Sequence, residues 1–211
     1  IQHNVLHHSY TNIDGLDEDI DPGGVLRFSP HKKWRPAFKY QHIYSWFLYG
    51  LMTLSWSSIR DFKQLYRFKR QGLVGNKKYP FNKAMTNLII GKISYFIFSL
   101  VIPLIMLDIP WYMVLLFFFI MHFITGFILS IIFQPAHVVP SSEYPMPDAN
   151  GDVYSNWAIH QLFTTANFAP KSKLFSWYVG GLNFQIEHHL FPTICHVHYK
   201  KISEIVKKTT A

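Results

Sequence analysis

Two long apolar segments, separated by a short turn, constrain the fold of this chain most strongly. Residues 88–107 contain a single charged side chain, Lys92, and residues 111–133 contain no Asp, Glu, Lys or Arg. At 1.5 Å per residue, a helix over either segment is long enough to cross a bilayer, which takes roughly 20 residues. The sequence therefore predicts an all-α integral membrane protein with one transmembrane hairpin, its spans at about 88–107 and 111–133.

The placement of the basic residues predicts how this hairpin is oriented. Fourteen of the 20 Lys and Arg residues lie between Arg27 and Lys92, none lie in 93–170, and six lie from Lys171 onward. Both outer flanks of the hairpin are thus basic and its turn is not, which places both ends on the cytoplasmic side. The net charge of +8 is explained by this topology, so we expect no nucleic-acid partner.

Composition supports the membrane interpretation and excludes some kinds of site. Charged residues make up 15 % of the chain, against about 25 % in soluble domains. Residues 44–59 predict a helix rich in Trp and Tyr that is too short to span, which suits an interfacial or partly buried position. A basic amphipathic stretch follows at 60–83. The lone Cys195 excludes an internal disulfide framework and a multi-cysteine zinc site.

Two similar histidine clusters lie on either side of the hairpin. Residues 3–8 read HNVLHH and residues 185–189 read QIEHH. On an α-helix, His3 and His7 lie about 40° apart, and His8 is one residue further round, where it can address a second metal. Two membrane crossings return the chain to its starting face, so both clusters lie on one side of the membrane.

These clusters predict a metal site. Neutral imidazole binds iron, zinc, copper or nickel, and an ionisable residue near the end of a span, such as His137, is a functional candidate. The candidate metal ligands are His3, His7, His8, His137, Gln185, His188 and His189; no catalytic side chain is predicted beyond them. His122, in the middle of a span, is interpreted as a hydrogen-bonded packing residue.

Two acidic features have alternative interpretations. The run of Asp and Glu in residues 14–21 could bind a cation or a basic redox partner, but we interpret it as a solvated, turn-forming segment. Glu187, between candidate ligands, either orients one of them through a hydrogen bond or is a helix-surface carboxylate.

The clusters and their surroundings resemble the membrane-bound fatty acid desaturases. Residues 183–192, NFQIEHHLFP, are similar to the third histidine box of the front-end, linoleoyl-CoA-like subgroup, with Gln at its first position, and residues 3–8 are similar to the second box. The YTN at 10–12, followed by acidic residues, resembles bacterial members. The resemblance covers a partial desaturase domain at 1–211. The first box is absent, so we expect the domain to begin before Ile1 and this part alone to be inactive.

The resemblance implies a cytoplasmic histidine-box cap that binds two Fe²⁺ ions. It implies a dioxygen-dependent enzyme of lipid metabolism that introduces a cis double bond into a fatty acyl chain, carried as acyl-CoA or acyl-lipid. Two electrons would come from a donor such as a cytochrome b5-type protein or ferredoxin. No side chain is a strong enough oxidant to break an unactivated C–H bond, so a metal must supply that power.

Three alternatives stay open at this stage. A membrane di-iron hydroxylase or ketolase has similar boxes, although the third box favours a desaturase. A histidine-rich metal transporter should place its ligands near the bilayer midplane, which the clusters do not. A non-catalytic scaffold would tolerate loss of the histidines.

Overall fold

The computed structural model describes residues 2–153 and 156–210. This part of the chain consists of helices and loops and contains no strand, which confirms the all-α prediction. The chain divides into two compact units, the first formed by residues 1–45 with 131–211, and the second by residues 46–130.

The helices are numbered in chain order. They are α1, residues 2–10, with π turns at Gln2–His7 followed by His8–Tyr10; α2, Gln41–Gly50, after a 3-10 turn at Pro36–Tyr40; α3, residues 52–70, formed by Met52–Ser55, a π turn at Trp56–Arg60 and Asp61–Arg70; α4, Phe81–Met106; α5, Trp111–His137; α6, Trp157–Thr164; α7, Lys173–Tyr178; α8, Gln185–Leu190; and α9, Tyr199–Thr210, after a 3-10 turn at His196–His198.

Helices α4 and α5 are each long and apolar enough to cross a membrane. In their most apolar stretches, 0% of the α4 residues and 22% of the α5 residues are buried. A core helix of a soluble protein buries such residues, so this exposure favours lipid contact. α4 begins before its predicted span, and α5 ends after its own. Hydropathy detects only the apolar part of a helix, whereas the backbone hydrogen bonds continue through its polar end.

Within the second unit, α4 and α5 pack through aromatic side chains. Phe118 lies against Tyr95 and Phe96. Nε2 of His122 lies 2.7 Å from the Tyr95 hydroxyl, and its Nδ1 lies 3.1 Å from Oγ1 of Thr53. His122 is therefore a hydrogen-bonded packing residue, as the sequence indicated.

The end of α2 approaches α5 at a pair of glycines. A Cβ atom added at Gly126 would lie 2.7 Å from the carbonyl oxygen of Gly50 and 2.8 Å from that of Tyr49. No side chain fits at that separation, so this close helix contact requires glycine.

The charge in the first predicted span is paired. Nζ of Lys92 donates to Oδ2 of Asp61 at 2.5 Å and to the carbonyl oxygen of Trp56 at 2.6 Å. A lysine on an apolar helix is tolerated when its ammonium has such partners, which explains why Lys92 does not break α4.

In the first unit, a buried turn after α1 ties this helix to distant parts of the chain. Asn12 is fully buried with a φ of 60°. Its amide nitrogen lies 3.1 Å from the carbonyl oxygen of His137 and 3.2 Å from that of Thr164. α8 packs against both α6 and α9. The ends of α5 and α6 are thereby held beside α1, where the histidines lie.

Candidate metal centre

A first group of three histidines brings α1 and α8 together. Nε2 of His3 lies 3.4 Å from Nε2 of His8 and 3.4 Å from Nε2 of His188. The ligand atoms of the three rings all lie within 4.8 Å of one another. We call His3, His8 and His188 the first triplet.

A second group, the second triplet, consists of His7, His137 and His189. Its ring centroids are 4.6 Å apart for His7 and His137, 4.9 Å for His7 and His189, and 4.8 Å for His137 and His189. The exposed fractions are 1%, 4% and 0% in that order. This site is closed to solvent.

The two triplets adjoin one another through stacked rings. The centroids of His8 and His189 are 4.3 Å apart, and those of His3 and His7 are 5.3 Å apart. α-Helical spacing alone groups His3 with His7, but the π turns at Gln2–His7 bring residues five apart onto one side. His3 therefore joins His8. Each triplet contains one histidine from the pair at 7–8 and one from the pair at 188–189.

Hydrogen bonds fix the tautomers of the second triplet. Nδ1 of His7 lies 3.1 Å from both carboxylate oxygens of Asp17, Nδ1 of His137 lies 3.2 Å from the carbonyl oxygen of Thr164, and Nδ1 of His189 lies 2.8 Å from Oε1 of Gln161. Each partner is an acceptor, so each Nδ1 carries a proton, and each Nε2 is the ring atom left to bind a metal. Metal-bound histidines show this pattern.

Two of the resulting Nε2 lone pairs accept no hydrogen bond. Nε2 of His137 and Nε2 of His189 are buried without a hydrogen-bond partner among the described residues. An unsatisfied buried acceptor costs about 1–3 kcal/mol, which a metal ion at that point would offset.

The nitrogen spacing around His3 in the first triplet also fits one ion, and the ligand atoms of the second triplet lie within 4.8 Å of one another. Nitrogens bound to one ion at about 2.1 Å lie roughly 3.0 Å apart at octahedral angles and 3.4 Å at tetrahedral angles. The 3.4 Å separations in the first triplet fall in this range. Imidazole is a suitable ligand for iron, so the residues present fit two adjacent iron ions.

Most of these rings are neutral near pH 7, the form that binds metal. Burial, followed by the neighbouring imidazoles, lowers the pKa of His8 to about 3 and that of His188 to about 4. Burial likewise lowers the pKa of His3, and it lowers that of His189 well below its ordinary value.

His7 is the exception. Burial lowers the pKa of His7, but the hydrogen bond and charge of Asp17, with the charge of Asp19, outweigh it and leave that pKa raised. Burial opposes ionisation of Asp17, yet its bond with His7 and two backbone N–H groups hold the pKa of this carboxyl below its usual range. The pair is ionic when His7 binds no metal.

Two residues of α8 have structural bonds. The amide nitrogen of Gln185 donates to the carbonyl oxygen of Leu182 at 2.6 Å, so this predicted ligand is tied to the turn before α8. Glu187 is 1% exposed and accepts from Nδ2 of Asn167 at 2.7 Å, while Oδ1 of Asn167 accepts from the backbone N–H of Ile186. Glu187 therefore anchors the start of α8 and is not a surface carboxylate.

The interpretation of the acidic run as solvated is wrong for Asp17, which is 0% exposed and bonded to His7. The sequence also missed Gln161 and the carbonyl of Thr164. No local signal separates Asp17 from the other acids of the run. Gln161 becomes recognisable only when α6 is placed beside α8.

Further bonds fix the backbone of α1 beneath its histidines. The indole N–H of Trp157 donates to the carbonyl oxygen of His8 at 2.8 Å, and Oγ1 of Thr11 donates to that of His7 at 2.6 Å. The hydroxyl of Tyr199 lies 3.4 Å from Nδ1 of His188. The ring positions therefore depend on α1, α6, α8 and α9 together.

A cavity of about 390 Å³ borders the first triplet at His188. Its wall combines apolar residues with polar ones, namely Leu182, Pro192 and Ile194 with Thr193, His196 and Tyr199. The first triplet thus borders an open pocket of mixed character, whereas the second triplet is enclosed.

Comparisons with known proteins agree with this geometry. A family model described as fatty acid desaturase matches residues 1–211. The sn-1 linoleoyl-lipid 6-desaturase of Arthrospira platensis is 38% identical over 205 residues, which is 97% of this chain and 55% of that protein. The enzyme of the same name from Synechocystis sp. is 35% identical over 209 residues, 98% of this chain and 57% of that protein.

A third relative gives a similar result. The acyl-lipid (8-3)-desaturase of Physcomitrium patens is 38% identical over 215 residues, 99% of this chain and 43% of that protein. The chain spans about half the length of the curated relatives it matches. No solved structure matches it.

Proposed function

We propose, starting from the fact that this chain belongs to the fatty acid desaturase family, that it supplies the di-iron centre of a dioxygen-dependent fatty acyl desaturase. The observation that carries the proposal is the pair of adjacent histidine triplets. Two neighbouring three-nitrogen sites suit a pair of iron ions, and the exposed apolar helices α4 and α5 suit an enzyme whose substrate is a membrane lipid.

The ligand assignment follows the triplets. His3, His8 and His188 would hold one iron, and His7, His137 and His189 the other. Gln185 stays a predicted further ligand, through its amide oxygen. When bound, the two irons would activate dioxygen, the oxidant that takes one hydrogen atom from each of two adjacent methylenes.

The protein's own residues fix the ring positions of this centre and exclude water from its second triplet. The three Nδ1 acceptors, Asp17, Gln161 and the Thr164 carbonyl, prevent the rings of the second triplet from turning. Burial keeps water from that triplet. The acyl chain would approach from the cavity at His188. Misplacing the reacting carbon by about 1 Å would cost around 10²-fold in rate, so such rigidity is a requirement of the chemistry.

We propose a lipid-linked acyl chain as the substrate, in preference to acyl-CoA. The relatives named above are linoleoyl-lipid and acyl-lipid desaturases, which supports this choice. Their names also favour desaturation over hydroxylation, in which an oxygen atom would be returned to the substrate carbon.

The electron balance requires a partner. Conversion of two C–H bonds to a C=C bond yields two electrons, while reduction of dioxygen to two waters takes four, so two electrons and two protons come from outside. We propose a cytochrome b5-type protein or a ferredoxin as the donor. The histidine-bearing first unit would lie on the cytoplasmic side of a multi-pass membrane protein, in line with the basic flanks of the hairpin.

The test is a fatty acid profile of a host that expresses the complete reading frame with a suitable electron donor. His188→Ala removes a ligand of the first triplet, and His198→Ala, at an exposed position in the same region, is the matched control. We expect a new cis-unsaturated fatty acid with the wild type and with His198→Ala, and none with His188→Ala. A hydroxylated product, or an unchanged profile from well-expressed protein, would contradict the proposal.

A further inference from the structure

We propose that Asp17 is a positioning residue for the second triplet, one that presents Nε2 of His7 to the metal by holding the proton on Nδ1. The inference rests on the proposed function for the identity of the metal as iron, but not for the geometry. Asp17 is 0% exposed, and both of its carboxylate oxygens lie 3.1 Å from Nδ1 of His7.

The carboxylate is itself fixed by the backbone of the turn that follows α1. The N–H of Asn12 donates to Oδ2 of Asp17 at 2.9 Å, and the N–H of Asp19 donates to Oδ1 at 2.9 Å. Each oxygen thus faces a backbone donor as well as the imidazole. The group cannot rotate without breaking one of these bonds, so it holds the His7 ring at a defined angle.

This arrangement accepts only a side chain with two acceptor atoms. In Asp17→Asn, the amide nitrogen would replace one of the two oxygens and would face a backbone N–H, donor against donor. It would also leave a single oxygen to accept from Nδ1 of His7, while the amide hydrogens favour a ring with its proton on Nε2. A smaller fraction of the His7 rings would then offer the Nε2 lone pair to the metal. The substitution changes few atoms and yet opposes ligation.

Asp17 differs in kind from the partners of the other two ligands. His189 donates to the neutral amide oxygen of Gln161, and His137 to the neutral carbonyl of Thr164. A hydrogen bond to a carboxylate is stronger and makes the imidazole a better donor to the metal. We therefore expect the iron of the second triplet to depend more on Asp17 than on either neutral partner.

The experiment measures iron per chain and iron affinity, by chelator competition, in the complete reading frame purified in detergent. Asp17→Asn should lower the affinity for one of the two irons 10- to 100-fold, with the other iron retained and the helical circular dichroism unchanged. Asp21→Asn, in the same acidic run but paired with Lys32 on the surface, is the matched control and should bind both irons normally.

A second comparison separates positioning from a general structural role. If Asp17 acts through His7, the double variant Asp17→Asn with His7→Ala should bind iron as weakly as His7→Ala alone. Additive losses, equal loss of both irons, or unchanged affinity in Asp17→Asn would overturn the proposal. A wild type that binds no metal would overturn it together with the metal centre. A wild type that binds two irons but makes no unsaturated product would overturn the proposed function alone.

If Asp17→Asn does not fold, nitrogen NMR of labelled histidine in wild-type protein loaded with Zn²⁺ addresses the same point. We expect His7 to carry its proton on Nδ1 and to bind the ion through Nε2. A His7 ring without a proton on Nδ1 would overturn the proposal.

Discussion

Without its metal, the first unit should be most stable between pH 6.5 and the raised pKa of His7, and should lose stability on both sides of that range. The acidic side follows from the histidines whose pKa is lowered. In the unfolded chain these rings take up a proton near pH 6.5, whereas folded His8 and His188 do so only at about 3 and about 4. Their contribution is present above pH 6.5 and is lost as the pH falls towards those values.

The magnitude follows from proton linkage. Each histidine that is protonated only in the unfolded state lowers the free energy of unfolding by about 1.4 kcal/mol per pH unit. At about pH 5, His8, which is 7% exposed, would account for a loss of up to about 2 kcal/mol. The half-buried His188 would account for less, because water screens it.

The alkaline side follows from His7, whose pKa is raised by Asp17. The ion pair of His7 and Asp17 contributes fully below the ordinary histidine pKa of 6.5. That contribution is lost as the pH rises through the raised pKa. The lowered histidines make the free energy of unfolding rise with pH, and His7 makes it fall with pH. Together they produce a maximum.

The assay is hydrogen exchange of the α8 backbone amides in metal-free, full-length protein at about pH 5, 6.5 and 8, corrected for intrinsic exchange rates. His8→Gln should reduce the loss of stability with acid by about 1.4 kcal/mol per pH unit, the contribution of one proton. Asp17→Asn should abolish the loss of stability with alkali. Stability that is flat across this range, or that rises steadily with acid, would refute the assignment of neutral and charged rings.

Two other predictions concern packing and orientation. Gly126→Ala should destabilise the second unit by about 1–3 kcal/mol, because its Cβ would press on the Gly50 carbonyl. Gly91→Ala, with open space around it, should have no such effect in thermal unfolding. Gln161→Leu should weaken iron binding about 10-fold, less than Asp17→Asn, since Nδ1 of His189 loses a neutral acceptor. Gln161→Glu should restore the affinity; equal iron affinity in all three proteins would contradict this role.

Residues close in sequence were the most predictable part of this site. The HH pairs, with ligands spaced three to five residues away, indicate a two-metal site from the letters alone. His137 was predicted from its position just after an apolar span. The structure places these six histidines in two adjacent triplets.

Contacts between distant segments were not predictable in this way. The acceptors on His7, His137 and His189 come from a turn and from α6, at separations of up to 28 residues. Whether a carboxylate is solvated or buried depends on tertiary packing, which is why Asp17 was misassigned. The spacing of apolar residues likewise does not distinguish the π turns that pair His3 with His8 from an ordinary α-helix.

The most direct test of the two-site centre is the iron content of the purified full-length protein, combined with Mössbauer spectroscopy of the bound iron. We predict two irons per chain in the wild type, with His8→Ala and His189→Ala each weakening a different one of the two. A single iron per chain, or the same iron lost in both variants, would contradict the assignment of the two triplets to two adjacent metal ions.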